Sequence, residues 1–312
     1  MQFFSELVNL KEQDKNLVVA LGTFDGVHLG HQSILRRTRE LAREVQGKSV
    51  VLTFSNHPLS VLAPGTEPLQ VGDRLLRRRL LEEMGMDILI ELPFTPEFSQ
   101  ITAEGFLRLL YEQLAPTCVV VGPDYSFGYR GMGTPAYLQQ AGAAYGIRTV
   151  ICPAVFYVGE AVRSTRIRQL LALGNLDLVN QLLGRPFTFA GTVVHGDERG
   201  RTLGFPTANL VIGDRRAMLP NGAYAVQVQW QQRFWDGVAS IGNNPTFGGV
   251  KRRLEVHILD FTGNLYEQEI LVRFWAHLRA EQKFPSAAAL VDQLQADVRE
   301  ARKILVYKAR GL

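Results

Sequence analysis

The stretch Gly22-Thr23-Phe24-Asp25-Gly26-Val27-His28-Leu29-Gly30-His31 decides how this chain is interpreted. An apolar run, Leu17 to Leu21, precedes it, and a segment of helical character follows from Gln32 onward. A strand, a glycine-containing turn and a helix start predict a phosphate-binding βα junction, because free backbone N–H groups and the helix dipole both favour an anion there. The two histidines, three residues apart in the first helical turn, lie on one face and can contact the same phosphate.

The first half of the chain alternates between short apolar runs and amphipathic segments. We predict strands at 17–21, 49–54, 87–92, 118–122 and 149–155, and helices at about 31–45, 73–84, 103–114 and 134–145. This alternation is typical of a doubly wound α/β domain with a parallel sheet, in which ligands bind beyond the carboxyl ends of the strands. A P-loop sequence is absent, and no G-x-G-x-x-G follows the first strand, which disfavours a dinucleotide-dependent dehydrogenase.

The second half has a different pattern. Strand-like segments recur at about 188–195, 222–230, 234–241, 254–260 and 269–277, which predicts an antiparallel barrel or sandwich. A terminal helix capped by Ser286 presents one apolar stripe, which we expect to pack against the barrel. Gly184-Arg185-Pro186 stops the preceding helix, so we place the domain boundary there, giving domains of residues 1–186 and 187–312.

Composition supports two domains and argues against several classes of protein. At 312 residues, two domains are the default, and a net charge of +4 suits anionic ligands but is too weak to argue for nucleic acid. Cys118 and Cys152 lie in apolar runs, which favours buried free thiols in a reducing compartment. The N-terminus lacks signal-peptide features, and no apolar run is long enough to span a bilayer, so we expect a cytoplasmic protein.

Two further segments carry polar groups that could hold phosphate. In Val162-Arg163-Ser164-Thr165-Arg166-Ile167-Arg168, Ser164 is a good N-cap, and arginines near a helix start are unfavourable unless an anion binds nearby. A capped surface helix with solvated arginines is an equally good interpretation. In the loop 200–209, Gly200 and Gly204 would let backbone approach a phosphate, and the oxygens of Thr207 and Asn209 suit Mg²⁺. An ordinary turn is the alternative there, and the simpler one.

Glu255 lies in the alternating segment Leu254-Glu255-Val256-His257-Ile258-Leu259. The alternation puts its carboxylate on the same face as His257 and Leu259. Such a carboxylate either faces solvent or points into a barrel mouth, and periodicity alone favours solvent.

Four segments together resemble one protein family. They are G-T-F-D-G-V-H-L-G-H-Q at 22–32, S-T-R-I-R at 164–168, H-G-D-E-R-G-R-T-L-G-F-P-T-A-N-L at 195–210 and L-E-V-H-I-L-D-F at 254–261. In this order and spacing they resemble the bacterial bifunctional riboflavin kinase/FMN adenylyltransferase (FAD synthetase) family. The resemblance implies an N-terminal Rossmann-like nucleotidyltransferase domain and a C-terminal six-stranded riboflavin kinase barrel. The substrates that it implies are riboflavin, FMN and ATP. It implies no nucleic-acid partner and no membrane association, and it leaves the oligomeric state open.

The resemblance also implies roles for residues at matching positions. His28 and His31 would bind and polarise the ATP phosphates during adenylyl transfer. Glu255 would be the general base for the ribityl hydroxyl, and Thr207 and Asn209 would hold Mg²⁺. The residues implied to contact a nucleotide are Gly22, Phe24, Asp25, Gly26, His28, His31, Asp124, Ser164, Thr165, Arg168, Gly200, Gly204, Thr207 and Asn209. Those implied to lie near flavin are His57, Pro58, Asp124 and Arg279.

The sequence departs from the family pattern in four places. Ser55 and Asn56 stand where an acidic residue and proline are usual, and Arg163 stands where a serine often precedes the Ser-Thr pair. Thr134 ends a segment that lacks the usual aspartate, and Glu267 stands where glycine is usual. The first three departures touch the adenylyltransferase pocket.

Two other functions use similar elements. Class I aminoacyl-tRNA synthetases also place H-x-G-H beside a parallel sheet, but their lysine-rich second signature is absent from this sequence. A nucleic-acid-binding barrel would use the basic runs 215–216 and 251–253, but the barrel lacks a repeated aromatic pattern for base stacking.

Overall fold

A computed structural model describes residues 1–10, 15–196, 200, 203–246 and 249–309 of the chain. The chain forms two compact units. One comprises Met1–Pro68 and Arg77–Arg163, and the other comprises Leu69–Leu76 and Ser164–Leu312. The two helices that precede residue 186 thus belong to the second unit by their contacts, and the domain boundary at residue 186 stays a prediction.

The first unit contains a six-stranded parallel sheet in the order β1-β4-β3-β2-β5-β6. Its strands are β1 (Gln2–Phe4), β2 (Val18–Leu21), β3 (Ser49–Phe54), β4 (Ile88–Leu92), β5 (Cys118–Val121) and β6 (Arg148–Ile151). Strands β2 and β5 are buried along their whole length, as expected for a sheet covered on both faces. The chain proceeds from β2 through β3 to β4 and then returns to β5 on the other side of β2. This topological switch point lies where the histidine-containing turn leaves β2.

Helices connect these strands. They are α1 (Leu29–Glu44), α2 (Leu59–Leu62), α3 (Arg74–Glu83), α4 (Pro96–Ser99), α5 (Ala103–Gln113) and α6 (Pro135–Gly142), and a short hairpin of β7 (Phe156–Tyr157) and β8 (Glu160–Ala161) follows β6. The predicted α/β alternation is therefore confirmed, with helix ends shifted by at most three residues. Edge strand β1 was not predicted, because its three residues carry no alternation that marks a strand.

The second unit begins with helices α7 (Ser164–Ala172) and α8 (Leu176–Leu183). Its six-stranded antiparallel sheet has the order β10-β13-β12-β11-β14-β9. The strands are β9 (Phe187–Thr192), β10 (Ala208–Val211), β11 (Gly222–Trp230), β12 (Arg233–Thr246), β13 (Gly249–Ile258) and β14 (Glu269–Ala280). A bridge between Val194 and Asn209, with Val194 N–H donating to the Asn209 carbonyl at 2.8 Å, joins the two edges of the sheet, so the sheet curls into the expected barrel.

The C-terminal helix α9 (Ala287–Ala309) packs on the outside of this barrel. The Ser286 hydroxyl accepts from Ala289 N–H at 3.2 Å, which confirms the predicted cap. Ala301 and Leu305 of α9 are buried against Ala225 and Val238 of the sheet. The predicted packing of the helix on the barrel is therefore confirmed.

Two differences from the predicted elements concern the sites. Strand β10 occupies the end of a segment that we predicted as a loop, because its four residues follow a run of glycine, proline and polar residues. Helix α7 begins at Ser164 itself, so this residue lies in the first turn rather than before it. Cys118 and Cys152 are buried free cysteines, as predicted. Among the described helices, none is both long and apolar enough to cross a membrane.

Candidate active sites

The histidine pair forms the beginning of α1. His28 is its N-cap, and the Nδ1 atom of His28 accepts from the backbone N–H of His31 at 3.3 Å. The two imidazole rings stack with centroids 3.7 Å apart and planes 18° from parallel. Because Nδ1 of His28 is an acceptor, its neutral ring carries the proton on Nε2, which makes Nε2–H a donor suited to an oxyanion. The prediction that both histidines share one face of the first turn is confirmed.

Small and apolar residues around the pair fix its geometry. A Cβ at Gly30 would lie 3.1 Å from Cε1 of His28, so only glycine lets that ring lie against the helix without displacement. Phe24, expected near the nucleotide, is fully buried, and its ring meets His31 edge to face at 5.3 Å. Gly22 packs on the Phe24 ring, because a Cβ built at Gly22 would lie 3.2 Å from the Cζ atom of Phe24. The Phe24 ring therefore packs against His31 from the interior of the unit.

Asp124 follows β5, the neighbour of β2 in the sheet. Its Oδ2 atom lies 2.8 Å from a guanidinium nitrogen of Arg163, and both side chains are exposed. The carbonyl of Val162 lies 3.3 Å from a Cβ built at Gly30, so the chain just before Arg163 borders the first turn of α1. The structure thus brings Asp124 and the unusual Arg163 to the carboxyl edge of the sheet beside the histidine pair.

His57 and Pro58 lie at the carboxyl end of β3. Nδ1 of His57 accepts from Leu59 N–H at 3.1 Å, at the first residue of the short helix α2. Asn56, one of the departures, donates to the Phe94 carbonyl at 3.0 Å and accepts from Phe94 N–H at 2.8 Å. These two bonds fix the loop that carries His57 to the loop after β4.

The start of α7 carries the other predicted phosphate ligands. Ser164 and Thr165 lie in its first turn. The guanidinium of Arg168 donates to the Leu69 carbonyl at 2.6 Å and to the Thr165 hydroxyl at 3.4 Å. The predicted anion-binding arginine is thereby held over its own helix start.

In the second unit, a row of paired positions crosses the barrel wall. Asn209 of β10 is paired with Glu255 of β13, and Glu255 is paired with Ser240 of β12. Directly paired residues place their side chains on the same face with Cβ atoms about 4.5–5.5 Å apart. The neighbours Leu254 and Val256 are fully buried on the opposite face, whereas Glu255 is half-buried. Glu255 therefore lies on the outer face of the barrel beside Asn209.

The loop before β10 packs against Asn209. The side-chain nitrogen of Asn209 donates to the backbone carbonyl of Thr207 at 3.3 Å. The side-chain oxygen of Asn209 is therefore not the atom that faces this carbonyl. A Cβ at Gly196 would approach that amide group within 2.4 Å, so the preceding loop passes directly over Asn209. Gly200 accepts at its carbonyl from Phe205 N–H at 2.8 Å and closes the turn that contains Gly204. Residues 197–199 and 201–202 of the motif lie outside the described residues.

Arg279 connects the site face to the terminal helix. It is aligned with Ala223, which is aligned with Ser240, so it extends the same row. Its guanidinium donates to both carboxylate oxygens of the buried Asp297 at 3.0 and 3.1 Å, and it also lies over the Phe284 ring. This bidentate pair fixes α9 beside the Glu255 face.

Comparisons with known proteins agree with this division. A family model described as FAD synthetase matches residues 10–166, and one described as riboflavin kinase matches residues 183–305. The bifunctional riboflavin kinase/FMN adenylyltransferase of Pseudomonas fluorescens is 39% identical over 312 residues, covering 99% of both chains. The chain belongs to the bifunctional riboflavin kinase/FMN adenylyltransferase family. The Escherichia coli K12 protein of the same name is 37% identical over 307 residues, covering 97% of each chain.

A solved structure is also similar over nearly the whole chain. The structure, named as a macrolide-efflux protein from Streptococcus pneumoniae, is 35% identical, covers 97% of this chain and 99% of its own, and superposes with a TM-score of 0.85. Its fold therefore matches that of the chain in both units. Its name differs from those of the two curated relatives, whose names agree with both family models.

Two of the departures from the family pattern have a defined structural setting. Thr134 caps α6, because its hydroxyl accepts from Tyr137 N–H at 3.1 Å. Glu267 has a φ of 63°, in the left-handed region that glycine adopts without strain. The usual glycine at that position of the family is explained by this backbone conformation.

Two arginines of the basic runs in the barrel make contacts within the second unit. The Arg216 side chain is 8% exposed, pairs with Asp73 at 3.1 Å and lies over the Phe189 ring. Arg252 donates to the Leu219 carbonyl at 2.6 Å and is half-buried. The Lys251 side chain lies outside the described residues.

A buried ionic cluster, not predicted from the sequence, lies beside the first site. Glu91 of β4 has a fully buried side chain that is ion-paired with Arg77 and Arg78 of α3. The sequence feature that indicates such a cluster is the single charged residue, Glu91, in an otherwise apolar strand. A buried carboxylate without a partner would be very costly, so its presence in a buried strand implies cationic partners. Among the described residues, no group of three or more His, Cys, Asp or Glu side chains could hold a metal ion by itself.

Proposed function

We propose that the chain makes flavin cofactors in two steps at two separate sites, one in each of the two predicted domains, residues 1–186 and 187–312. It is a bifunctional enzyme that phosphorylates riboflavin with ATP to FMN and then adenylylates FMN with a second ATP to FAD and pyrophosphate. The observation that carries the two-site assignment is the position of the two sets of polar groups along the chain. The stacked histidines lie in the part matched by FAD synthetase, and the Asn209–Glu255 pair lies in the part matched by riboflavin kinase.

Adenylyl transfer needs charge stabilisation more than covalent chemistry. The FMN phosphate attacks the α-phosphorus of ATP and pyrophosphate leaves, so negative charge accumulates on the phosphate oxygens. The N-terminus of α1 offers backbone N–H groups and a dipole of the right sign. His28, with its proton on Nε2, and His31 donate to the same oxygens. Their action is electrostatic, and fixed positions make it effective.

Other residues of the pocket bind and orient the two substrates in this proposal. Gly22, Asp25 and Gly26 form the turn around the nucleotide, and Phe24 acts through the His31 ring that it supports. Ser164, Thr165 and Arg168 bind the outgoing phosphates, Asp124 binds nucleotide and flavin, and His57 and Pro58 lie near the flavin.

Kinase chemistry requires a base and a way to neutralise the ATP phosphates. Glu255 accepts the proton of the ribityl 5′-hydroxyl, which is weakly acidic, so the carboxylate acts by positioning the alcohol and accepting the proton late. The donor set fits Mg²⁺, because a hydroxyl, an amide oxygen and nearby phosphates are the hard ligands it prefers. Thr207 and Asn209 would hold the ion, which would neutralise charge on the phosphates when bound.

The remaining assignments complete the proposal. Gly200 and Gly204 let the loop backbone approach ATP, and Arg279 covers the flavin side of the kinase site while it anchors α9. The adenylyltransferase domain comprises residues 1–186 and the kinase domain residues 187–312. The enzyme acts in the cytoplasm, where its two buried cysteines stay reduced.

Selective loss of one activity tests the two-site assignment. Glu255→Gln should abolish FMN formation from riboflavin and leave FMN-to-FAD conversion nearly intact. The double variant His28→Ala, His31→Ala should do the converse. Each activity is measured separately by chromatography, with Mg-ATP and either riboflavin or FMN as substrate.

The two variants are controls for each other, because each keeps the residues assigned to the other site. Equal loss of both activities in either variant would refute the assignment of the steps to separate sites. Retention of FMN formation by the Glu255 variant would remove that residue from the role of base.

A further inference from the structure

The buried cluster around Glu91 touches the nucleotide-binding turn through one of its two arginines. Arg77 lies in α3 and pairs with the Oε1 atom of Glu91, whose side chain is fully buried. Nη1 of Arg77 also donates to the Thr23 carbonyl at 2.9 Å, and Nη2 donates to the Phe54 carbonyl at 2.7 Å. A single guanidinium therefore joins the carboxyl ends of three adjacent strands, β2, β3 and β4.

The two carbonyls that Arg77 binds lie next to residues of the predicted pocket. Thr23 lies in the turn between β2 and the histidine pair, and Phe54 ends β3 just before the loop that carries His57. The Thr53 hydroxyl donates to the same Thr23 carbonyl at 3.3 Å. Two donors, one on α3 and one on β3, therefore converge on one oxygen atom of the turn.

The turn needs such support because its backbone is strained. Phe24 has a φ of 51° and Val27 a φ of 41°, both in the left-handed region that residues with a Cβ rarely adopt. Strained backbone persists only where the surroundings hold it, and it is concentrated at functional sites. The bond from Arg77 is made to the carbonyl immediately before Phe24, where it can hold this conformation.

Arg78 provides a natural comparison. It also binds Glu91, with Nε 3.1 Å from Oε2, and its guanidinium lies 3.8 Å from the centre of the Phe3 ring on β1. Its contacts lead away from the nucleotide-binding turn. Two neighbouring arginines therefore share one buried carboxylate, but only the contacts of Arg77 include the turn.

We infer that Arg77 is a positioning residue for adenylyl transfer, which holds the Thr23–His28 turn so that the histidines face the ATP phosphates. This inference rests on the proposed function of the first unit. Glu91 orients the guanidinium, and the guanidinium orients the turn. The three consecutive arginines 77–79 have the appearance of an exposed helix face in the sequence, so no local pattern indicates this role.

Three variants test the inference: Arg77→Met, Arg77→Lys and the matched control Arg78→Met. We expect Arg77→Met to lower kcat for FMN-to-FAD conversion at least tenfold, with a smaller change in KM for FMN. Arg77→Lys should recover part of the rate, because an ammonium group can still bind carbonyl oxygens. Arg78→Met should stay within about threefold of the unaltered enzyme, and all three should keep the rate of FMN formation from riboflavin.

Equal rates in the Arg77→Met and Arg78→Met variants would overturn the inference, because both lose a bond to Glu91 and only one loses the turn. Parallel loss of both activities would also overturn it, since the role would then be general stability. If Arg77→Met fails to unfold cooperatively, the comparison of Arg77→Lys with Arg78→Lys decides in the same way. Failure of the unaltered enzyme to convert FMN to FAD would instead refute the proposed function.

Discussion

Replacement of Gly30 by alanine separates the geometry of the histidine pair from the stability of its helix. The added methyl carbon would lie 3.1 Å from Cε1 and 3.2 Å from Nδ1 of His28, and 3.3 Å from the Val162 carbonyl. The ring cannot move far, because it stacks on His31 at 3.7 Å. A displacement of a few tenths of an ångström therefore falls on His28 or on the helix start.

The expected magnitudes differ for stability and activity. Alanine in place of glycine within a helix stabilises by up to about 1 kcal/mol, and weakening of the N-cap costs about the same, so the free energy of unfolding should change by less than about 1 kcal/mol. A misplacement of 1 Å can cost about 100-fold in rate, so the smaller shift expected here should slow FAD formation about tenfold. FMN formation from riboflavin should be unchanged.

Steady-state rates of both activities and a denaturant titration measure these effects. Gly105→Ala is a matched control, because Gly105 lies in the first turn of α5 with an added Cβ 3.2 Å from the capping hydroxyl of Thr102. It should leave both activities unaltered. An unchanged rate of FAD formation in Gly30→Ala would refute the claim that close packing of His28 on the helix matters for adenylyl transfer.

Two further predictions concern stability. Glu267→Gly should raise the free energy of unfolding by up to about 1 kcal/mol, because Glu267 has a φ of 63° and glycine adopts this conformation without strain. The control Glu269→Gly, in extended β14, should lower the free energy of unfolding by about 0.5–1 kcal/mol. Chemical denaturation of the two variants measures both changes. Burial raises the pKa of Tyr224 to about 12. Stability from its neutral phenol is complete below pH 10 and should be lost progressively as pH rises from 10 to 12. Tyr224→Phe should lack this loss, although it is about 1 kcal/mol less stable at pH 8 because the bond from Tyr224 to the Pro220 carbonyl is absent. Parallel pH profiles for the two proteins would contradict the assignment.

The sequence predicted those features that depend on neighbours along the chain. The βα junction, the shared face of His28 and His31, and the cap at Ser286 are set by residues within one or two turns. Periodicity also placed Glu255 on the face opposite Leu254 and Val256 correctly. It could not show that Asn209 would be its cross-strand neighbour, because that pairing joins segments 46 positions apart, and only the family resemblance related them.

Features that depend on distant segments were not predicted. The Arg77–Glu91 pair joins a helix to a strand 14 positions later, and the guanidinium also binds carbonyls 54 and 23 positions earlier. The complete burial of Phe24 behind His31 follows from the path of the turn, which local hydrophobicity does not define. The ion pair of Asp124 with Arg163 likewise depends on how two loops end at one edge of the sheet.

A chromatographic time course with riboflavin and Mg-ATP tests the central claim most directly. The two-site account predicts that FMN accumulates first and that FAD then forms at its expense in a single preparation of the chain. Accumulation of FMN without FAD would show that the first unit, with its departures at Ser55, Asn56 and Arg163, does not carry out adenylyl transfer. Absence of FMN would contradict the kinase assignment of Glu255, Thr207 and Asn209.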